Sequence, residues 1–255
     1  MQKPITADCL YVCGDSWTRG SELIDPTSQD PNHFAEVHDA YRSAHHWPKL
    51  VADKLGVELV DGSMAGASND YMLRVTMYDV SRLLMEGRRP FVIVSWTQLH
   101  RFELPKGPEG DRWKSFVSPR ENNIPRFTKE LWREWSSDFT DVVKWVQQMI
   151  CLDDFLKVNQ LDYLSNTVFN SSYHLYERYV REKEDYFAPY LYQIKKNINL
   201  SRHSLKFSLE MYLKQYADVD YGPGGHPLCR GHELLAEQIL AQINSKFQFQ
   251  RLQDQ

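Results

Sequence analysis

Three short, largely apolar runs, each separated from the next by a stretch of helical period, constrain this chain more than any other feature. They occupy residues 10–13, 57–60 and 91–94. Each is four residues long and bounded by Gly, Pro or Asp, which is the pattern of a buried strand rather than a helix. Between the first two, Trp47, Leu50, Val51 and Leu55 fall on one helical face, with Pro48 in the first turn and Gly56 at the end. Between the second and third, Ser68 or Asn69 can cap a helix whose inner stripe is Leu73, Met77, Val80 and Leu84, stopped by Gly87. The result is β-α-β-α-β. Right-handed crossovers place such strands in one parallel sheet with helices on both faces, an α/β fold.

The remainder follows the same rhythm less regularly. Residues 17–44 are polar and turn-rich and predict a long loop. Residues 100–136 contain Pro105, Pro108, Pro119 and Pro125 with Trp113, Trp132 and Trp135, and predict an insertion or lid. A long helix is expected from about Asp138, with Val142, Trp145, Val146, Met149 and Leu156 inward, then a fourth strand within residues 161–169. Residues 173–217 predict a helical excursion. Leu234, Leu235, Ile239 and Ile243 form the inner face of a last helix beginning after Gly231. No repeat or flexible linker divides the 255 residues, so a single domain over 1–255 is expected.

Composition narrows the function. The formal net charge of −4 gives no strong field of one sign, which argues against nucleic acid as a partner. No run of about 18 apolar residues exists, so no membrane span is expected. No secretory signal is visible at the start, which predicts a cytoplasmic protein. Cys9, Cys13, Cys151 and Cys229 form no CxxC pair or metal spacing; Cys9 and Cys13, in an apolar run that reads as a strand, predict buried free thiols, and a reducing compartment fits. His38, His45 and His46 lack the further ligands a metal site needs, and predict solvated or helix-start positions. The basic group Lys195, Lys196, Arg202, His203 and Lys206 predicts a solvated face. The Gly222–Gly225 segment lacks the Lys-Ser/Thr of a phosphate loop.

Three segments carry the chemistry. Gly14-Asp15-Ser16 follows the first strand directly, and a serine lifted out of the sheet by a tight turn gains exposure and neighbouring amides. The bland reading is a helix-capping serine in an ordinary turn. Gly224-Gly225-His226-Pro227 holds a histidine in a fixed loop shortly before the last helix, where it can reach the carboxyl ends of the strands. His232 is expected to pack or cap near that helix start. In residues 62–69, Gly66 permits close backbone approach and Asn69 offers a side-chain donor, or serves as a helix cap.

In this order, GDSWT, DGSMAGASND and GGHPLCRGHELLAEQIL resemble the sequence blocks of the SGNH (GDSL-like) hydrolase superfamily. The nearest likeness, through Ser95-Trp96-Thr97-Gln98 and Arg101-Phe102-Glu103, is to SGNH-like proteins of tailed phages and marine bacteria. The resemblance implies a three-layer α/β/α sandwich with a five-stranded parallel, flavodoxin-like sheet, and ester hydrolysis without a cofactor or metal. It implies Ser16 as nucleophile, His226 as general base, and the N–H groups of Ser16 and Gly66 as oxyanion donors. The family's GxND block is Ser95-Trp96-Thr97-Gln98 here, so Gln98, Thr97 or Asn69 would substitute for its Asn, and Asn69 is assigned to the oxyanion hole. The family's acid, three residues before the histidine, is Pro223 here. Asp218 and Asp220 lie nearby, and Asp220 is preferred. The implied function is a serine esterase acting on a small-molecule or glycan ester, with an O-acylated carbohydrate first. The alternatives are a degenerate SGNH fold serving as a glycan-binding or virion-associated module, and an acyltransferase using the same pair.

Overall fold

The computed structural model describes residues 3–106, 112–117, 126–197 and 203–251. Pro108, Pro119, Pro125 and Arg202, and the side chains of Trp135, Lys195, Lys196, His203 and Lys206, lie outside the described set.

The sheet strands are β1 (Cys9–Cys13), β2 (Glu58–Asp61), β3 (Pro90–Trp96), β4 (Tyr163–Thr167) and β5 (His203–Ser208), in the order β2-β1-β3-β4-β5. The first four run in unbroken parallel register. β5 joins β4 in parallel too, but with a register shift between Asn166 and Thr167. This order is the flavodoxin-like one, and its switch point falls between β1 and β3.

Every residue of β1, β3 and β4 is buried, because helices cover both faces. On one face Tyr11, Val92 and Val94 pack beneath Asn69–Met85 and Asp138–Val158. On the other, Leu10, Val12, Phe91, Ile93 and Leu164 pack beneath Trp47–Leu55 and Cys229–Lys246. The expected inner residues of both the 138–158 helix and the last helix are buried. The Asn69–Met85 helix is rotated from its expected stripe. Met72, Thr76, Val80 and Leu83 face the core, while Met77 is 37% exposed.

Four further features depart from the sequence reading. Residues 17–44 are not all loop, because Asp39–His45 is helical. The 173–217 stretch holds the helices Asn170–Glu182 and Glu184–Asn197, but also β5. Its HSLKFS alternates with period 2, a six-residue signal easily lost beside long helical stretches. The last helix begins at Cys229, two residues before Gly231. Phe247–Arg251 adds a strand that pairs in parallel with Lys3–Ala7, so the two ends of the described chain lie together.

The insertion is a two-stranded hairpin, Phe102–Lys106 with Arg112–Phe116, followed by the helix Arg126–Trp135. Phe102, Phe116 and Trp132 form a small separate core, with ring centroids 4.8–6.2 Å apart. The hairpin is tied down by charge. Arg74 holds the buried Glu103 carboxylate through two bonds of 2.9 Å. Asp70 accepts from the Glu103 N–H, Lys144 and Gln148. Trp113 is exposed and stacks under Arg74.

Candidate active site

β1 ends at Cys13, and Asp15 then caps the four-residue helix Ser16–Arg19, its carboxylate accepting from Trp17 N–H at 3.0 Å. Asp15 is fully buried, a placement that requires partners. Its other oxygen accepts from Thr97 Oγ1 at 2.6 Å and from Arg101 at 3.3 Å. The turn carrying Ser16 is thereby fastened to the carboxyl end of β3. Ser16 opens the helix, so its own N–H is among the first-turn groups that the helix leaves unused.

Gly20 adopts φ 71° and turns the chain back, with Ser21 N–H on the Ser16 carbonyl and Leu23 N–H on Gly20. This turn brings Glu22, fully buried, to the same side as Ser16. The loop before the last helix then closes over Glu22. Gly224 N–H donates to its carboxylate at 2.7 Å, His226 N–H at 3.0 Å and His226 Nδ1–H at 2.8 Å. A Cβ at Gly222 would stand 2.7 Å from Glu22 Oε2, and one at Gly224 2.9 Å from Oε1, so only glycine lets the loop wrap this closely. Burial works to raise the Glu22 pKa, but the His226 and Gly224 hydrogen bonds outweigh it and hold the carboxyl below its usual range.

On the far side of the imidazole, His226 Nε2 lies 2.7 Å from Ser16 Oγ. With Nδ1–H donated to Glu22, Nε2 is the unprotonated nitrogen and accepts the Ser16 hydroxyl, an assignment that follows from the hydrogen-bond network. Ser16, His226 and Glu22 form an unbroken hydroxyl–imidazole–carboxylate chain, the arrangement that lets an imidazole remove the serine proton.

The chain opens into a cavity of about 480 Å³. Ser16, Gly66, Gln98, Arg101, Phe169 and His226 are among its walls, with Trp17 edge-on to Phe169. Gly66 adopts φ 74° at the end of the loop after β2. The site stands at the carboxyl ends of β1, β2 and β3, beside the switch point, where open α/β sheets place their ligands.

Sequence reasoning brought Ser16, His226 and Gly66 to this cavity, and two other assignments are corrected. Asp220 is exposed and meets the loop through its carbonyl, which accepts Leu228 N–H; the carboxylate on His226 belongs to Glu22. Asn69 is buried and spent on structure: its Oδ1 accepts Thr97 N–H at 2.9 Å and its Nδ2 faces the Thr97 carbonyl. Gln98 lines the cavity instead. The signal that would have found Glu22 is the glycine cluster 222–225, whose lack of side chains implied a bulky group packed against it.

The other candidates settle into structural places. His38 is buried and latches residues 25–38, accepting Asp25 N–H and facing the Asp30 carbonyl. His46 is also buried, whereas His45 is exposed and stacks on Tyr41. His232 accepts Trp47 N–H at 3.1 Å and so caps a neighbouring helix rather than its own. Cys9 and Cys13 are buried free thiols that burial pushes up to about 12, but Cys151 is exposed and Cys229 half-buried. Among the described residues no group of three or more His, Cys, Asp or Glu side chains is arranged to hold a metal ion. No described helix is long and apolar enough to cross a membrane.

Solved structures share this architecture. An acetyl xylan esterase, Est2A, from the rumen bacterium Butyrivibrio proteoclasticus superposes with a TM-score of 0.51 at 14% identity, over 95% of this chain and 65% of that one. TesA superposes with a TM-score of 0.50 at 12% identity, over 94% of this chain and 99% of that one. A gamma-tubulin complex component 2 homolog from Drosophila melanogaster is 23% identical over 118 residues, which is 46% of this chain but 13% of that protein. The fold is that of the SGNH hydrolases. By the match of residues 21–255, the chain belongs to the family described as "Family of unknown function (DUF6071)".

Proposed function

We propose that this protein is a serine esterase of SGNH type that hydrolyses a carboxylic ester, with Ser16 as nucleophile, His226 as general base and acid, and Glu22 as the carboxylate that orients His226. The observation that carries the reading is the pair of short hydrogen bonds on one imidazole, 2.7 Å to Ser16 Oγ and 2.8 Å to Glu22. In this reaction His226 Nε2 takes the Ser16 proton as Oγ attacks the ester carbonyl. Glu22 stabilises the imidazolium that forms. The tetrahedral oxyanion rests on the N–H groups of Ser16 and Gly66, with Gln98 on the cavity wall as a third donor. Collapse expels the alcohol, which takes the proton from His226. Water, deprotonated by the same nitrogen, then releases the acid and restores Ser16.

An O-acyl group on a carbohydrate is the substrate class this reading favours. Its support is an open cavity beside Ser16, with Gln98, Arg101 and the Trp17 and Phe169 rings among its walls, and the shared fold with Est2A, whose name records acetyl xylan as its substrate. The absence of the GxND Asn, with Asn69 tied to Thr97, favours the second reading, a glycan-binding module without turnover. Loss of one oxyanion donor costs about 3 kcal/mol of transition-state stabilisation, which slows turnover without abolishing it. A fluorophosphonate probe decides between the two. Labelling of wild type and not of Ser16→Ala supports the esterase; an unlabelled wild type that still binds oligosaccharide supports the module.

A further inference from the structure

Beside the Ser16 pocket lies a larger cavity, of about 640 Å³, that the hydrolytic chemistry does not use. Gln98 and Val117 are walls of both, so the two spaces adjoin. We propose that this second cavity is a glycan subsite, holding the neutral sugar that bears the ester while the acyl group sits at Ser16. The inference rests on the esterase reading for the acyl half and on the cavity's own chemistry for the sugar half.

Four observations support it. First, the walls carry two cations, Lys129 and Arg133, against two carboxylates, Asp138 and Asp141. An ionic ligand meets as much repulsion as attraction there, whereas a hydroxyl donates to the carboxylates and accepts from the cations. Second, Asp141 is half-buried, and its contact inside the cavity is the Ser136 hydroxyl at 3.1 Å. Burial, partly offset by Ser136 and Lys144, raises its carboxyl to about 6, so a donating ligand hydroxyl would restore lost solvation. Third, Trp132 is one of the walls, its indole fixed by Nε1–H donation to the His100 carbonyl at 3.1 Å. Fourth, the floor is built rather than accidental, since the His100 ring also meets the Val117 carbonyl at 3.1 Å and ties the start of the hairpin to its end. The volume falls in the range of about 300–1,000 Å³ usual for small-molecule sites.

The test uses Lys129→Trp, which fills the cavity from an exposed helical position, and Asp141→Asn, which keeps its shape. Each is compared with wild type on p-nitrophenyl acetate and on a panel of O-acetylated xylo-, manno- and chito-oligosaccharides. Both variants should keep p-nitrophenyl acetate turnover within about twofold and lose about tenfold or more in kcat/KM on an oligosaccharide, mainly through KM. Equal losses on both substrates, or no loss on any oligosaccharide, overturn the subsite and leave the esterase intact. If wild type hydrolyses nothing, the esterase reading fails by itself. Calorimetric binding of the same panel then judges the subsite: binding abolished by Lys129→Trp upholds it, and no binding by wild type overturns it.

Discussion

The Ser16 cavity and the hairpin beside it are fastened differently. Around Ser16 main-chain N–H groups grip both carboxylates, two of the loop on Glu22 and one of the helix on Asp15, with Thr97 and Arg101 adding side-chain bonds to Asp15. The hairpin against which Trp132 packs is tied to the sandwich mainly by side chains, Arg74 on Glu103 and Lys144 on Asp70. A nucleophile must hold its position to a fraction of an ångström, and backbone at strand ends supplies that. A recognition surface tolerates looser fastening, and appended hairpins can change without disturbing the sheet.

The sharpest way to break this comparison is at the hydroxyl. Ser16→Ala should lower p-nitrophenyl acetate hydrolysis by about 10⁴-fold or more, with folding unchanged by circular dichroism. Next is the carboxylate. Glu22→Gln should lower kcat by up to about 10⁴-fold, because the imidazolium loses its counter-charge and the tautomer is no longer fixed. The Glu22 pKa is lowered in the fold, so its stabilising contribution is complete above the unfolded value of 4.5 and is lost as pH falls below it. The acid limb of a stability-versus-pH curve should therefore be shallower in Glu22→Gln than in wild type.

Smaller effects probe the second region. Arg74→Met leaves Glu103 buried without its cation, at a local cost of about 3 kcal/mol. Hydrogen exchange should show the hairpin opening more readily, while p-nitrophenyl acetate turnover falls less than about tenfold. Equal loss of turnover and of hairpin protection would show that the two regions are one mechanical unit. The smallest effect belongs to Asp220→Asn, which should leave kcat within about twofold, since its exposed carboxylate does not meet His226.

What was legible in the sequence follows from the range of each signal. β1, β3 and the helices between them announce themselves within a few residues, through apolar runs and glycine or proline stops. Ser16 and His226 each sit in a short turn that is unusual by itself, so order along the chain sufficed to pair them. Glu22 has no such neighbourhood. Its role depends on a turn at Gly20 and a loop some 200 positions away, and it lies in a stretch whose composition reads as plain loop. Asp220 was preferred because proximity to His226 in sequence stood in for proximity in space. β5 was missed because its six residues lie beside long helical stretches, and the strand at 247–251 because it is short and pairs with residues at the other end of the described chain.

The meeting of Ser16 and His226 spans 210 positions, and the strands at 3–7 and 247–251 zip together just outside them. Contacts of such sequence separation form late, because the intervening chain must first be ordered. A ribosome-bound chain that stops before Gly222 already holds Ser16 and Glu22, but not His226. On the proposed esterase reading, a label that reports reactivity at Ser16 would count only molecules in which the His226 loop has closed over Glu22.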